Sequence, residues 1–338
     1  GINGDYWSGD SIYAPPEGIM VSDGELITAP KYRTALGITP NNEVTIGKWS
    51  NGFEWNAEIS YLKDTTRKHH INLLNRWDLN ENSMILYTDR WSANTFGTTR
   101  GIPETELLFG LSGADRPLPP YFLPKYILDW RNNQSGINIK RAQCLLAESG
   151  ESVNCLQKNI NIDTSARTNP NWGPYSDLGT EPRWNLYQNI ISAGPMIVDE
   201  GTTYHDPIQP FSTNPVSEDF TVGWKKSFYP TRQPRTSAGI TKDGKELILL
   251  VVDGRQRNFS VGFTQSELAE YMISLGAYRA LELDSGGSST MVIGDKLLNH
   301  PSDHARPDGT NGVERKVINS LCIYSNANYE DHKKCNQN

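Results

Sequence analysis

Hydrophobic residues run unbroken from Leu247 to Val252 and stop at Asp253-Gly254. A continuous apolar run closed by such punctuation predicts a strand buried on both faces. Thr264-Gln265-Ser266-Glu267 follows with the spacing of a capping box: the hydroxyl accepts from the Glu267 N–H while the carboxylate reaches back. Leu268, Tyr271, Met272 and Leu275 then recur at helical spacing, and Gly276 ends the helix. A second strand is predicted over 280–284. A strand, a helix and a strand in that order predict a right-handed crossover and a parallel pair. Asp253, Asp284 and the helix start would then share the carboxyl edge of the sheet, where ligands of open α/β sheets sit.

Asp284 opens into Ser285-Gly286-Gly287-Ser288-Ser289-Thr290. Taken alone, an aspartate before a glycine turn stabilises the turn. Here two acids, a helix N-terminus, a glycine turn and the loop 255–260 converge on one edge, and that convergence favours a functional site. Glu282 and Asp284 are two apart on a strand and share a face; a structural ion pair with an arginine is the competing role for Glu282. Arg235-Thr236 precedes a strand, Arg255 follows one and Arg315 precedes the last. The planar guanidinium fork suits phosphate or carboxylate.

Elsewhere the pattern is mostly β. Strands are predicted near 53–59, 84–88 and 106–109, between Gly, Asn and Pro punctuation. Residues 111–185 are polar and proline-bearing, with 121–130 the one dense apolar patch, and are expected to form an elaborated insertion. Residues 190–198 predict a strand interrupted by Ser192-Ala193-Gly194-Pro195. Hairpins are predicted at Lys242-Asp243-Gly244 and Gly294-Asp295, and a late strand over 317–324. Together these predict an α+β fold: one mixed-sheet domain over 1–325 and a tail over 326–338.

The chain has 338 residues, nine Trp, fifteen Tyr and a formal charge of −7. That charge argues against a nucleic-acid partner, since no basic stripe offsets phosphate repulsion. The longest aliphatic run is far too short to span a membrane. No signal peptide is evident, and an opening at Gly1 without Met suggests a processed or truncated mature form. Four cysteines allow three pairings; two local bridges, Cys144–Cys155 and Cys322–Cys335, are the simplest and imply a secreted, envelope or lumenal compartment. Zinc is not expected without Cys-x-x-Cys or a histidine cluster. Asn133 and Asn258 stand in glycosylation sequons. The turn after Asp284 leads into Met291-Val292-Ile293, a strand, and neither GxGxxG nor a P-loop is present, so a nucleotide site is not expected. Ser288 with His300 or His304 would be a serine hydrolase, but the string is not GxSxG and turn chemistry explains the hydroxyls better. His69 and His70, beside Arg67 and Lys68, are expected on a solvated basic face.

Eight strings carry a resemblance in order: INGDYW at 2–7, LYTDRW at 86–91, ISAGPMIVDEG at 191–201, PRTSAGI at 234–240, VVDGRQ at 251–256, SVGFTQSELAEYM at 260–272, LDSGGSST at 283–290 and ERKVINSL at 314–321. They resemble the signatures of the phosphodiester glycosidase family. The resemblance implies a mixed-sheet α+β catalytic domain that hydrolyses a sugar-1-phosphodiester to free sugar and phosphomonoester. It implies Asp284 as nucleophile or base, with Asp253 as its partner or a sugar-hydroxyl ligand and Glu282 as a further acid. Arg235, Arg255 and Arg315 would neutralise phosphate. Asn3, Asp5, Thr236, Ser260, Gly286, Gly287, Ser288, Ser289 and Asn319 would complete the substrate site. No cofactor is required; the clustered acids are compatible with a divalent cation that no ligand spacing compels. Two positions depart from the family: Ser285 replaces a usual glycine and Glu282 a usual asparagine. The added carboxylate raises one rival, a glycosidase for non-phosphorylated glycans; a second is a non-catalytic glycan-binding envelope module that retains the fold.

Overall fold

The computed structural model describes residues 1–6, 15–28, 31–49, 186–204 and 218–324, together with strands lying between 55 and 149. Three five-stranded sheets dominate, and the strand orders of all three are open. Among the described residues there are few helices, and no helix is long and apolar enough to cross a membrane.

One sheet carries the predicted Leu247–Val252 strand at its edge, paired antiparallel with Arg235–Ile240 through the predicted hairpin. Arg235–Ile240 also pairs antiparallel with Arg279–Glu282, which meets Met196–Asp199, followed by Thr202–Thr203. The expected parallel pair is therefore corrected. Leu247–Val252 and Arg279–Glu282 are not neighbours, because Arg235–Ile240 lies between them. Both run antiparallel to that middle strand, so their carboxyl ends still reach the same edge. The crossover helix spans Gln265–Ser274, with both halves of the Thr264–Glu267 capping box formed.

The apolar run is continuous because each of its faces has a different partner. Ile248, Leu250 and Val252 pack with Leu268, Ala269 and Met272 of the helix and with Ile197, Val198 and Ala280. Leu247, Leu249 and Val251 turn the other way, toward Leu36, Ile46, Ile191, Ala238 and Leu281. Period-two alternation places successive residues on opposite faces. Leu36, Ile46 and Ile191 come from a second sheet, built of Met20–Ser22, Glu25–Thr28, Arg33–Ile38, Val44–Trp49 and Asn189–Ser192. The layers are thus sheet, sheet and helix. Burying an aliphatic side chain of this kind contributes about 1.5–3 kcal/mol.

Residues 190–198 form two strands, Asn189–Ser192 and Met196–Asp199, one in each of these sheets. The third sheet contains Leu73–Leu74, Met84–Thr88, Glu104–Leu111, Pro124–Asn132 and Gln143–Ser149. Pro124–Asn132 and Gln143–Ser149, within the expected insertion over 111–185, both hydrogen-bond directly to Glu104–Leu111. Residues 150–185 and 325–338, with Cys155 and Cys335, lie outside the described residues; Cys322 is exposed. Trp55–Ala57 pairs with His69–Ile71, placing the two histidines in a strand. The late strand is short, Ser320–Leu321, and pairs with Ile2–Asn3.

Candidate active site

The N-terminal strand reaches the glycine turn. Gly4 O accepts the Asp284 N–H at 2.8 Å, and Gly4 N donates to Asn319 O at 3.0 Å. Asn3 is only 2% exposed and stitches three elements together. Its Nδ2 donates to Asp284 O at 2.5 Å, while Oδ1 accepts from Thr236 Oγ1 at 2.8 Å and Thr290 N at 3.0 Å. With these donors and acceptors committed, Asn3 and Thr236 hold the site together from behind. Asn319 does likewise, its Oδ1 accepting the Asp5 N–H at 2.7 Å. Linking residue 3 to residue 284 is a contact that no local string can disclose.

Asp5 is enclosed, and its carboxylate accepts from Tyr6 N at 2.7 Å, Gly18 N at 2.7 Å and Ser192 Oγ at 2.8 Å. Burial pushes its pKa up to about 6 against the lowering effect of Arg33 and these bonds. Asp284 is half-buried, and burial raises its carboxyl to about 7, with the Asp5 charge adding to the rise. The Ser288 hydroxyl, Arg315 and the Ser285 N–H act in the opposite sense. Two acids with raised pKa values therefore sit in one electrostatic environment, and only Asp284 retains access to a ligand.

Two arginines lie over the glycine turn. Gly286 has φ +70°, and a Cβ there would stand 2.9 Å from Arg255 Nη2. A Cβ on Gly287 would collide with the Asp303 carboxylate and the Arg315 guanidinium. Gly286 is thus favoured by its backbone conformation as well as by close approach, and Gly287 by close approach alone. Asp303 holds Arg315 in a fork, Oδ2 to Nε at 2.8 Å and Oδ1 to Nη2 at 3.0 Å. Arg255 Nε donates to Gln233 Oε1 at 2.6 Å, but among the described residues its Nη1 and Nη2 meet no acceptor. Burial and then neighbouring Arg315 push the Arg255 pKa down, against the Asp303 carboxylate, which acts in the opposite sense.

Arg235 and Glu282 require correction as ligand groups. Both are fully buried and form an ion pair at 2.6 Å. Arg235 also donates to the backbone oxygens of Phe263, Phe228 and Thr231. Glu282 accepts further from Ser285 Oγ at 2.7 Å and Gln265 Nε2 at 2.9 Å. Phosphate cannot displace a guanidinium so enclosed. Ser285, the departure from glycine, is what Glu282 holds, so the two unusual residues form one buried network. Asp253 is turned onto His300 and Asn299, and Ser260 Oγ donates to Asp253 O at 2.6 Å within the loop. Ser260 thus acts as a turn residue.

Among the described residues, several buried polar atoms have no protein partner: the hydroxyls of Tyr6, Ser289 and Thr290, and Nε and Nη1 of Arg33, while the Ser288 hydroxyl bears on the Asp284 carboxylate. Buried polar groups ordinarily find partners. A polyhydroxylated ligand would supply them beside Asp284. Tyr6 feels both Glu282 and Asp284, and burial followed by these charges drives its pKa well above the usual phenol range. Its ring packs edge-on against Phe220 and Trp224, and Arg33 lies 4.1 Å over Phe220. Tyr6, Arg33 and Asp303 were not singled out in the sequence. Tyr6 lies within the INGDYW string, the one local signal that could have marked it, whereas nothing local marks Arg33 or Asp303. No group of three or more His, Cys, Asp or Glu suited to a metal ion occurs among the described residues.

The sequence profile of the family described as phosphodiester glycosidase matches residues 132–324. N-acetylglucosamine-1-phosphodiester alpha-N-acetylglucosaminidase of Bos taurus is 27% identical over 140 residues, covering 41% of this chain and 25% of that protein. The match thus spans about a quarter of that curated relative. A solved structure from Burkholderia pseudomallei K96243 superposes with a TM-score of 0.67 at 21% identity, over 90% of this chain and 62% of that one. A hypothetical protein from Synechocystis gives a TM-score of 0.60 at 19% identity, over 88% and 48%. At those identities the two structures speak to the fold. With its own profile covering more than half of the residues, this chain belongs to the phosphodiester glycosidase family.

Proposed function

We propose that the chain hydrolyses the glycosidic bond of a sugar-1-phosphodiester, releasing free sugar and a phosphomonoester. The observation that carries this reading is the pairing of an accessible acid, Asp284, with Arg255 and Arg315 packed on the adjoining glycines. A sugar-1-phosphodiester needs both: a carboxylate at the anomeric carbon and cations on the departing phosphate. Asp284 acts from its ionised form, either attacking C1 or taking a proton from the water that does. Arg255 offers two Nη groups that meet no acceptor among the described residues, and Arg315 is held in place by Asp303. Electrostatic stabilisation of developing charge by such preorganised donors is worth several kcal/mol, roughly 2.7–4 for a single donor in a well-studied case. Tyr6 and Ser288 would take sugar hydroxyls.

The extra acid Glu282 does not favour a non-phosphorylated substrate, because its charge is spent on Arg235. A secreted, envelope or lumenal location accords with the cysteine pattern. Incubating the protein with a panel of sugar-1-phosphodiesters, aryl glycosides of the same sugars and a glycan array tests the function. Release of sugar and phosphomonoester from the first class is expected. Turnover confined to aryl glycosides, or binding without turnover, would replace this reading with one of the two rivals.

A further inference from the structure

The Asp253 carboxylate grips His300. Oδ1 accepts the His300 backbone N–H at 2.7 Å, and Oδ2 lies 3.2 Å from His300 Nδ1. An acid on Nδ1 selects the tautomer with its proton there and leaves Nε2 as the nitrogen that exchanges protons outward. The ring rests on Phe259, centroids 4.4 Å apart, and the His300 side chain is 51% exposed. A histidine held rigidly on one nitrogen and open on the other is arranged for proton transfer rather than for packing.

Its tethers place it on the rim already described. Gln256, next to Arg255, donates from Nε2 to His300 O at 2.8 Å. Asn299 donates to Ser289 O at 2.9 Å, in the glycine turn. Asp303, three residues on, forks Arg315 over Gly287. Loop 255–260, the glycine turn and loop 299–303 therefore close on one another, carrying Arg255 and His300 and, through Asp303, holding Arg315. The charged groups on the elements packed around the imidazole are Asp253, Arg255 and Arg257, the Asp303–Arg315 pair, and Asp308 beside the Gly309 that Phe259 covers.

We infer that His300 is the proton donor to the departing phosphate, with Asp253 as its positioning residue; this rests on the reading of the chain as a sugar-1-phosphodiester hydrolase. As the C1–O bond breaks, its electron pair stays on the phosphate oxygen, and His300 in its imidazolium form, with the Nδ1 proton held by Asp253, gives its Nε2 proton to that oxygen. Water supplies the hydroxyl at C1, and its other proton passes to the Asp284 carboxylate. One water is consumed, free sugar and phosphomonoester leave, and proton exchange with solvent resets both side chains.

The test compares substrates that need a proton with one that does not. His300→Gln should lower kcat on sugar-1-phosphodiesters by roughly 100-fold or more. It should change the rate on a 2,4-dinitrophenyl glycoside of the same sugar by less than about threefold, because that leaving group departs as a stable anion. Asp253→Asn should show the same substrate pattern with a smaller loss. Independently of turnover, adding methyl phosphate should shift the His300 Cε1–H proton resonance saturably, and Arg255→Ala should weaken that response. Equal losses of His300→Gln on both substrate types in an active enzyme, or a resonance indifferent to methyl phosphate, would overturn the His300 assignment alone. A wild-type protein that turns over no sugar-1-phosphodiester would overturn the hydrolase reading and the proton-donor role with it.

Discussion

Arg235 and Glu282 meet at 2.6 Å with neither side chain exposed. Each looked like a ligand group in the sequence, since each lies within two residues of the glycine-turn edge or at a strand start. The fold gives the pair another use, locking Arg235–Ile240 to Arg279–Glu282 and, through Gln265, to the crossover helix. The Arg235 guanidinium also stacks 4.4 Å over Phe228.

Removing one partner of a buried pair strands the other charge and costs about 3–5 kcal/mol. Arg235→Ala should therefore move the urea midpoint strongly downward. Any residual activity should fall alike on charged phosphodiesters and neutral aryl glycosides. A normal urea midpoint with selective loss on the phosphodiester would return Arg235 to the phosphate site.

Asp284→Asn should abolish turnover while leaving the protein folded, and its stability should respond to pH differently from wild type. The folded carboxyl titrates at about 7, above its unfolded value of 3.8. The native state therefore holds a proton that the unfolded chain has lost across that window. Its contribution is fully present below the unfolded value and is lost as pH rises through about 7. Since Asp284 is only partly buried, solvent screening holds the effect to something on the order of 1–3 kcal/mol. Denaturant melts at pH 5 and pH 8 should show Asp284→Asn gaining on wild type at the higher pH. A constant difference between the two would mean the carboxyl is not perturbed by burial.

Catalysis by an ionised Asp284 predicts an acidic limb in kcat/KM with a midpoint near 7. Asp5, raised to about 6, is coupled to it, so the observed value belongs to the pair. Asp5→Asn removes the neighbouring charge and should shift that limb to lower pH. A limb that stays in place while activity falls would assign Asp5 a purely structural role through Gly18 and Ser192.

Arg255→Ala should reduce kcat/KM on a sugar-1-phosphodiester by roughly ten- to a hundredfold, taking about 1.5–3 kcal/mol for a charge-assisted contact. A neutral aryl glycoside of the same sugar should be nearly unaffected, and Arg255→Lys should recover part of the loss. Gly287→Ala should mimic the loss of Arg315, because its methyl group would force apart the Asp303–Arg315 fork. Equal effects on charged and neutral substrates would separate both arginines from the phosphate.

Mass mapping of unreduced protein should recover Cys144–Cys155 and Cys322–Cys335 as bridges. Each closes a short loop and would contribute roughly 2–4 kcal/mol. Four free thiols in native material would overturn the pairing and the oxidising compartment together.

The local elements were legible in the sequence because their causes are local. The capping box at Thr264, the stop at Gly276, the hairpin at Gly244 and the strand over Met84–Thr88 each depend on residues within a few positions. The shared edge of Asp253 and Asp284 was legible too, since a crossover helix returns the chain in the same direction. The identity of the strand between them was not, because alternation records that both faces are buried and is silent about which backbone donates along the edge. The same limit governs the arginines. Arg235, Arg255 and Arg315 look alike as letters beside strands, and only tertiary packing separates them. A buried carboxylate reached Arg235, Asp303 reached Arg315, and Arg255 was left with free donors over a glycine. Composition determined that the chain could build a core and carry an acid to a turn. Which charges are spent inside that core, and which remain for a ligand, was decided by contacts between residues as far apart as Asn3 and Asp284.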